Sequence, residues 1–130
     1  MTELFFEYLD SNIFFPGFDK NEMRSLLVLL IDDFHISSAK IQASVVTENE
    51  LLQMNEQYLQ HEDYTDIITF DYSVDNILVG DLFISGDRCV ENADLHKTSA
   101  ENELKRYIIH GVLHLCGMDD KTAVLILAMR

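Results

Sequence analysis

The stretch from Thr98 to Gly117 restricts most strongly what this chain can become. Leu104, Tyr107, Ile108, Val112 and Leu115 recur at helical spacing, which predicts a long helix with one face buried. Thr98-Ser99-Ala100-Glu101 has the form of a cap that opens it, and Gly117 is the expected residue just past its end. The helix carries the string HGVLHLCGMDD, residues 110–120. His110 and His114 stand at i and i+4, so both imidazoles project from one face and suit a shared metal ion. A turn at Gly117 brings Asp119 or Asp120 back over that face. Two nitrogens and a carboxylate suit Zn²⁺, with a fourth position open to water, whose pKa such a site lowers towards neutrality. Nickel or iron accepts the same donors. A helix that merely carries two histidines and stops at a glycine is the plainer reading of the pair. The complete string, with its glycine turn and acids, favours a metal site.

Two neighbours refine this reading. An interior helix glycine costs ~1 kcal/mol against alanine, so Gly111 implies a close approach by another element. A peptidase of the HExxH type would place its general base directly after the first histidine. Gly111 holds that position, which argues against that design. Cys116 lies beside the pair, and a core thiol is the better expectation for it than a fourth ligand.

The remaining pattern predicts a small α+β domain. The aromatic-rich segment 3–9 reads as a strand, and Pro16 in FFPGF marks a turn. Asp19-Lys20-Asn21-Glu22 opens a helix whose apolar positions are Met23, Leu26, Leu27, Leu30, Ile31 and Phe34. Ile41, Ala43 and Val45 alternate as a strand, and Thr47-Glu48-Asn49-Glu50 caps a second helix through about Tyr58. TDIITFD at 65–71 and ILVGDLFIS at 77–85 read as strands separated by a polar turn. The predicted order is β-α-β-α-β-β-α, one mixed sheet packed against helices, with the metal site on the last long helix. Gly80 interrupts a strand and marks a close approach, while Asp81 is a candidate to orient a ligand histidine. His35 and His96 read as surface residues. Arg88, Lys97, Lys105 and Arg106 are interleaved with acids, among them Glu91, Glu101 and Glu103, and read as a solvated mixed-charge face.

Composition bounds the partners. The 130 residues suit one domain, and 48% of them are apolar, enough for a real core. No apolar run, LLVLLI at 26–31 among them, comes near the ~18 residues of a membrane span. The N-terminus has no basic segment or cleavage pattern of an export signal. Two cysteines without a CxxC pair suit a reducing cytoplasm. Net charge is −14, from 23 acids against nine bases. That disfavours nonspecific binding to nucleic acid, whose affinity rests on Lys/Arg–phosphate pairs, unless a bound cation supplies local positive charge.

HGVLHLCGMDD, together with MNEQYLQHEDYTDIITFD and VGDLFIS upstream, resembles the YbeY family of bacterial rRNA maturation factors. The similarity runs from about Ile41 to Met129. The resemblance implies a cytoplasmic, zinc-dependent endoribonuclease with one Zn²⁺ per chain, acting on single-stranded rRNA beside the small ribosomal subunit or its assembly factors. It implies metal ligands at His110, His114 and Asp120, the last in place of the family's third histidine, with Asp119 as the alternative. The family's arginine after the tyrosine that matches Tyr58 is Leu59 here, and His61 is the candidate for a polar or cationic substitute among the catalytic residues His110, His114 and His61. Tyr64 stands for the family's proline and Thr69 for its serine. Leu59 and Asp120 keep a second reading open, a non-catalytic, metal-stabilised assembly module. A third is a metal-dependent hydrolase of another substrate. The family continues through a charged helical stretch where this chain has the apolar AVLILAM at 123–129, so the domain is expected to be short of its C-terminal helix end. That segment packs in the core or meets a partner or second copy.

Overall fold

The structure, a computed structural model, describes residues 1–10, 12–59 and 66–118. His61, Asp119, Asp120 and the apolar segment 123–129 lie outside the described residues. Its elements are β1 (Thr2–Tyr8), α1 (Lys20–Ile31), a 3-10 turn (Asp32–Phe34), β2 (Ser38–Val46), α2 (Glu48–Leu59), β3 (Ile67–Asp71), β4 (Ile77–Ser85), α3 (Gly86–His96) and α4 (Ala100–Leu115).

The four strands form one sheet in the order β1-β2-β4-β3. β1 runs parallel to β2, and β2 parallel to β4. β3 lies antiparallel to β4 at the edge, with Thr69 opposite Leu82. The two parallel pairings need crossovers, which the helices supply. One face of the sheet carries the main core. Met23, Leu27 and Leu30 of α1, Cys89 of α3, and Leu104, Ile108 and Val112 of α4 pack there on Ile41, Ala43, Leu82 and Ile84. The other face is covered by α2, where Leu51 and Met54 meet Val46, Ile68, Phe70 and Phe83. The expected α+β domain, with a mixed sheet between helices, is the fold observed.

Local chemistry explains the helix ends. Asp19 accepts from the Asn21 and Glu22 amides and opens α1. Thr47 accepts from the Glu50 amide at 3.1 Å and caps α2, while its hydroxyl donates to the Glu50 carboxylate at 3.0 Å. Ser99 accepts from the Asn102 amide and opens α4. The close of α4 is a Schellman motif: the Gly117 amide bonds the His114 carbonyl at 2.9 Å and the Met118 amide bonds that of Leu113 at 3.0 Å. Gly117 has φ +93°, and a Cβ there would touch nothing within 4 Å. Backbone conformation alone therefore requires glycine. Gly117→Ala is expected to destabilise the domain by about 1–2 kcal/mol, the cost of a left-handed Cβ, seen as a lower midpoint in urea with an unchanged slope.

The pattern missed one helix. Residues 86–96, to which the sequence pattern assigns no element, form α3, capped by Ser85, which accepts from the Arg88 amide at 3.1 Å. Its buried positions are Gly86, Cys89 and Ala93, small residues that leave almost no apolar stripe. Leu26 departs from its expectation too: it belongs to the α1 stripe by spacing, yet it is exposed.

Candidate metal and catalytic site

Two glycines press α4 onto the sheet. A Cβ on Gly111 would lie 2.8 Å from Leu82 Cδ2 and 3.0 Å from Ile67 Cδ1. A Cβ on Gly80 would lie 2.6 Å from Leu115 Cδ1 and 3.0 Å from the Phe70 carbonyl oxygen. The helix thus settles against β3 and β4 closer than any side chain at either position allows. Both glycines were expected to mark a close approach, and both do.

This contact fixes where the histidines stand. His110 and His114 flank Gly111 and line a cleft of about 500 Å³ with Asp66, Ile67, Thr69, Asp71, Tyr107 and Leu115. Their rings stack with centroids 4.7 Å apart and an interplanar angle of 23°. The two Nε2 atoms are 2.8 Å apart. Two imidazole nitrogens so placed make either one N–H···N hydrogen bond or a two-point grip on a cation. For two soft-to-borderline nitrogen donors on one helix face, the donor set fits zinc. Among the described residues no further His, Cys, Asp or Glu joins the pair in a cluster of three. Asp119 and Asp120, the expected carboxylate ligands, lie outside the described residues.

The cleft wall is polar and held in place. The Tyr107 hydroxyl accepts from the Asn92 side-chain amide, and Asp66 shares the cleft wall with it. Burial, and then the neighbouring Asp66 charge, raises the Tyr107 hydroxyl well above the ordinary tyrosine range, so it stays a proton donor at neutral pH. Asp66 also lies 3.7 Å from Arg88, which is 3.1 Å from Glu48. Asp66 thus borders the cleft. Thr65 is outside the described residues.

One assignment changes. Asp81 cannot orient a ligand histidine, because successive strand residues face opposite sides. Gly80 faces Leu115 of α4, while Asp81 faces Met54, Phe70, Tyr72 and Phe83 on the α2 side. Cys116 is half-buried against the main core, and burial pushes its thiol up to about 11, with Asp71 adding to the effect. That thiol is protonated at neutral pH, as a core cysteine is, and no metal cluster among the described residues includes it. Cys89 is fully buried, and its thiol is pushed up to about 12, chiefly by burial.

The mixed-charge face is real but not all solvated. Lys105 pairs with Glu22 at 2.6 Å and Arg88 with Glu48. Glu103 is buried, 2% exposed, beneath His96 Nδ1 at 3.0 Å and Arg106 Nη1 at 3.4 Å. Sequence reading missed Asp71, Tyr107 and Glu103 as parts of the site region. Tyr107 was hidden in the apolar stripe. Glu103 carried a signal of a kind, since it precedes His110 by two helical turns and so shares its face.

Fold and cleft together define a class: a mixed-sheet α+β domain whose last helix among the described residues turns an HxxxH pair into a polar cleft at the sheet edge. Comparison with known proteins makes the class specific. A sequence profile of the family Endoribonuclease YbeY matches residues 17–130. The chain belongs to the YbeY family. The protein named Endoribonuclease YbeY from Parabacteroides distasonis is 40% identical over 88% of this chain and 80% of its own length. The one from Bacteroides fragilis is 41% identical over 88% and 82%, and that of Flavobacterium psychrophilum is 48% identical over 72% and 67%. The solution structure of a Thermotoga maritima protein shares the fold, with a TM-score of 0.59, 24% identity, and coverage of 92% of this chain and 75% of that one. Among the described residues no helix is long and apolar enough to cross a membrane.

Proposed function

We propose that this protein is an endoribonuclease that cuts single-stranded RNA in the cytoplasm during rRNA maturation, with one zinc ion held by His110, His114 and an aspartate at 119 or 120. The observation that carries the reading is the Nε2–Nε2 approach of 2.8 Å inside the polar cleft, in a chain related to proteins named as endoribonucleases. When bound, a divalent ion supplies concentrated positive charge against the phosphate and activates water near neutral pH. The chain's own residues do the rest. Asp66 and Tyr107 line the cleft beside His110 and offer a carboxylate acceptor and a hydroxyl donor. The Gly111 contact keeps the histidine pair at a set depth against β3. A small-subunit protein or assembly factor is the partner that would bring so acidic a domain to its RNA.

A second reading keeps one observation on its side. Asp66 and Asp71 both line the cleft, and carboxylates repel a phosphate that no cation screens. A metal-stabilised module that binds a protein of the ribosome, without cutting, would tolerate them better. The experiment that separates the two uses a fluorescently labelled single-stranded RNA and its perfect duplex. The endoribonuclease reading expects internal cuts in the single strand, arrest with a chelator, recovery on adding zinc, and an intact duplex. Zinc binding without cleavage of any single strand transfers the case to the module.

A further inference from the structure

We propose that Arg106, seated on the buried Glu103, binds a backbone phosphate adjacent to the one being cut, which gives α4 a second contact to RNA one helical turn from His110. This deepens the endoribonuclease reading and rests on it. A second cleft, of about 260 Å³, is lined by Asn92, His96, Glu103 and Arg106 and shares Asp66, Tyr107 and His110 with the first. The two form one trough along α4. Along it, Glu103, Arg106, His110 and His114 follow one another at intervals of three or four residues, hence on one side of the helix. Arg106 is about 6 Å along the axis from His110, a step towards the neighbouring nucleotide rather than onto the same phosphate.

Arg106 is the only lysine or arginine that lines either cleft among the described residues. Its Nη1 meets Glu103 at 3.4 Å, while 52% of the side chain stays exposed. The guanidinium has five donors in a planar fork. One edge on Glu103 fixes the plane and leaves the other able to grip a phosphate by two parallel bonds. Glu103 also has His96 Nδ1 at 3.0 Å, so Arg106 is not its one partner. The other cations nearby are committed elsewhere: Lys105 to Glu22 across to α1, and Arg88 to Glu48 beneath Asp66. Glu103, in contact with Arg106, and Asp66, on the trough wall, both weaken an anion's binding there. The contact is therefore modest, and its effect falls on substrate affinity.

The test measures steady-state cleavage and salt-dependent binding of a single-stranded RNA dodecamer by the zinc-loaded wild-type chain, Arg106→Gln and Arg106→Lys. Glutamine keeps an N–H for Glu103, so the buried carboxylate retains a partner, and equal thermal midpoints confirm the fold. Arg106→Gln should raise KM about tenfold, the low end for a charge-assisted hydrogen bond, with a much smaller change in kcat. The slope of log K against log salt should fall by about 0.7, the loss of one single-strand phosphate contact, and Arg106→Lys should recover most of both. With a dinucleotide, too short to reach the second phosphate, wild-type and variant KM should converge. If wild-type cuts the dodecamer but Arg106→Gln matches it in KM and salt slope, the phosphate contact is overturned and the endoribonuclease reading stands. If wild-type neither binds nor cuts any single strand, both fall together.

Discussion

His114→Ala is expected to abolish RNA cleavage and tight zinc binding together, while leaving the domain folded. The two Nε2 atoms lie 2.8 Å apart, so removing one leaves a single imidazole and at most a carboxylate from beyond Gly117. Loss of an outer-shell partner alone lowers metal affinity 10–100-fold. Loss of a direct ligand should exceed about 100-fold on that scale. His114 is only half-buried, so the core that folds α4, centred on Leu104, Ile108 and Val112, is left intact. Calorimetric titration of Zn²⁺ into the metal-stripped wild-type and variant, with circular dichroism of each, measures both halves of the expectation. A variant that is folded, still binds zinc tightly and still cuts RNA would remove the histidine pair from the site. Alanine at Asp119 and then at Asp120 would next identify the remaining ligand, by the same loss.

The second large effect is expected at Gly111. Alanine there gains ~1 kcal/mol of helix propensity, but its Cβ enters a gap of 2.8 Å to Leu82 and 3.0 Å to Ile67. Leu82 is fully buried, so its methyl groups have little room to yield, and overpacking of this kind costs about 1–3 kcal/mol. The two terms nearly cancel for alanine, with a small net loss. Valine adds two further methyl groups to the same gap and, being β-branched, gives up most of the propensity gain. Gly111→Val is therefore expected to cost about 3 kcal/mol or more, a fall in Tm of roughly 10 °C for a domain this size. Relief comes only if α4 lifts from β3 and β4. Lifting it moves His110 and His114 relative to Asp66 and Thr69, so cleavage should fall further than the folded fraction does. Thermal denaturation followed by activity at a temperature where the variant is fully folded separates the two losses.

Much of the site's machinery is readable along the chain, because local interactions determine it. The caps at Asp19, Thr47 and Ser99 and the turn at Gly117 each involve residues within a few positions of one another. A hydroxyl or carboxylate two or three residues from an unpaired amide finds it whatever the rest of the chain does. The i, i+4 spacing of His110 and His114 places their imidazoles side by side for the same reason. The glycines at 80 and 111 announce a close approach, since nothing else repays an interior glycine.

The rest required partners distant in sequence. Cys89 and Ala93 are too small to signal a buried helix face, and α3 exists because α4 packs along it. Glu103 looks like any surface carboxylate until His96 and Arg106 close over it. Asp81 and Gly80 must face opposite sides, but only the seating of Leu115 on Gly80 decides which side meets the histidines. Asp66 just before an edge strand, Asp71 at its end and Tyr107 on a helix more than thirty residues on have nothing local that requires them to share a cleft. By itself, then, the sequence determined the helices with strong stripes, their ends and the paired imidazoles, through hydrogen bonds and periodicities spanning a few residues. The tertiary structure alone decided which side chains surround that pair, because strand pairing and the depth at which α4 settles are set by packing across the whole domain.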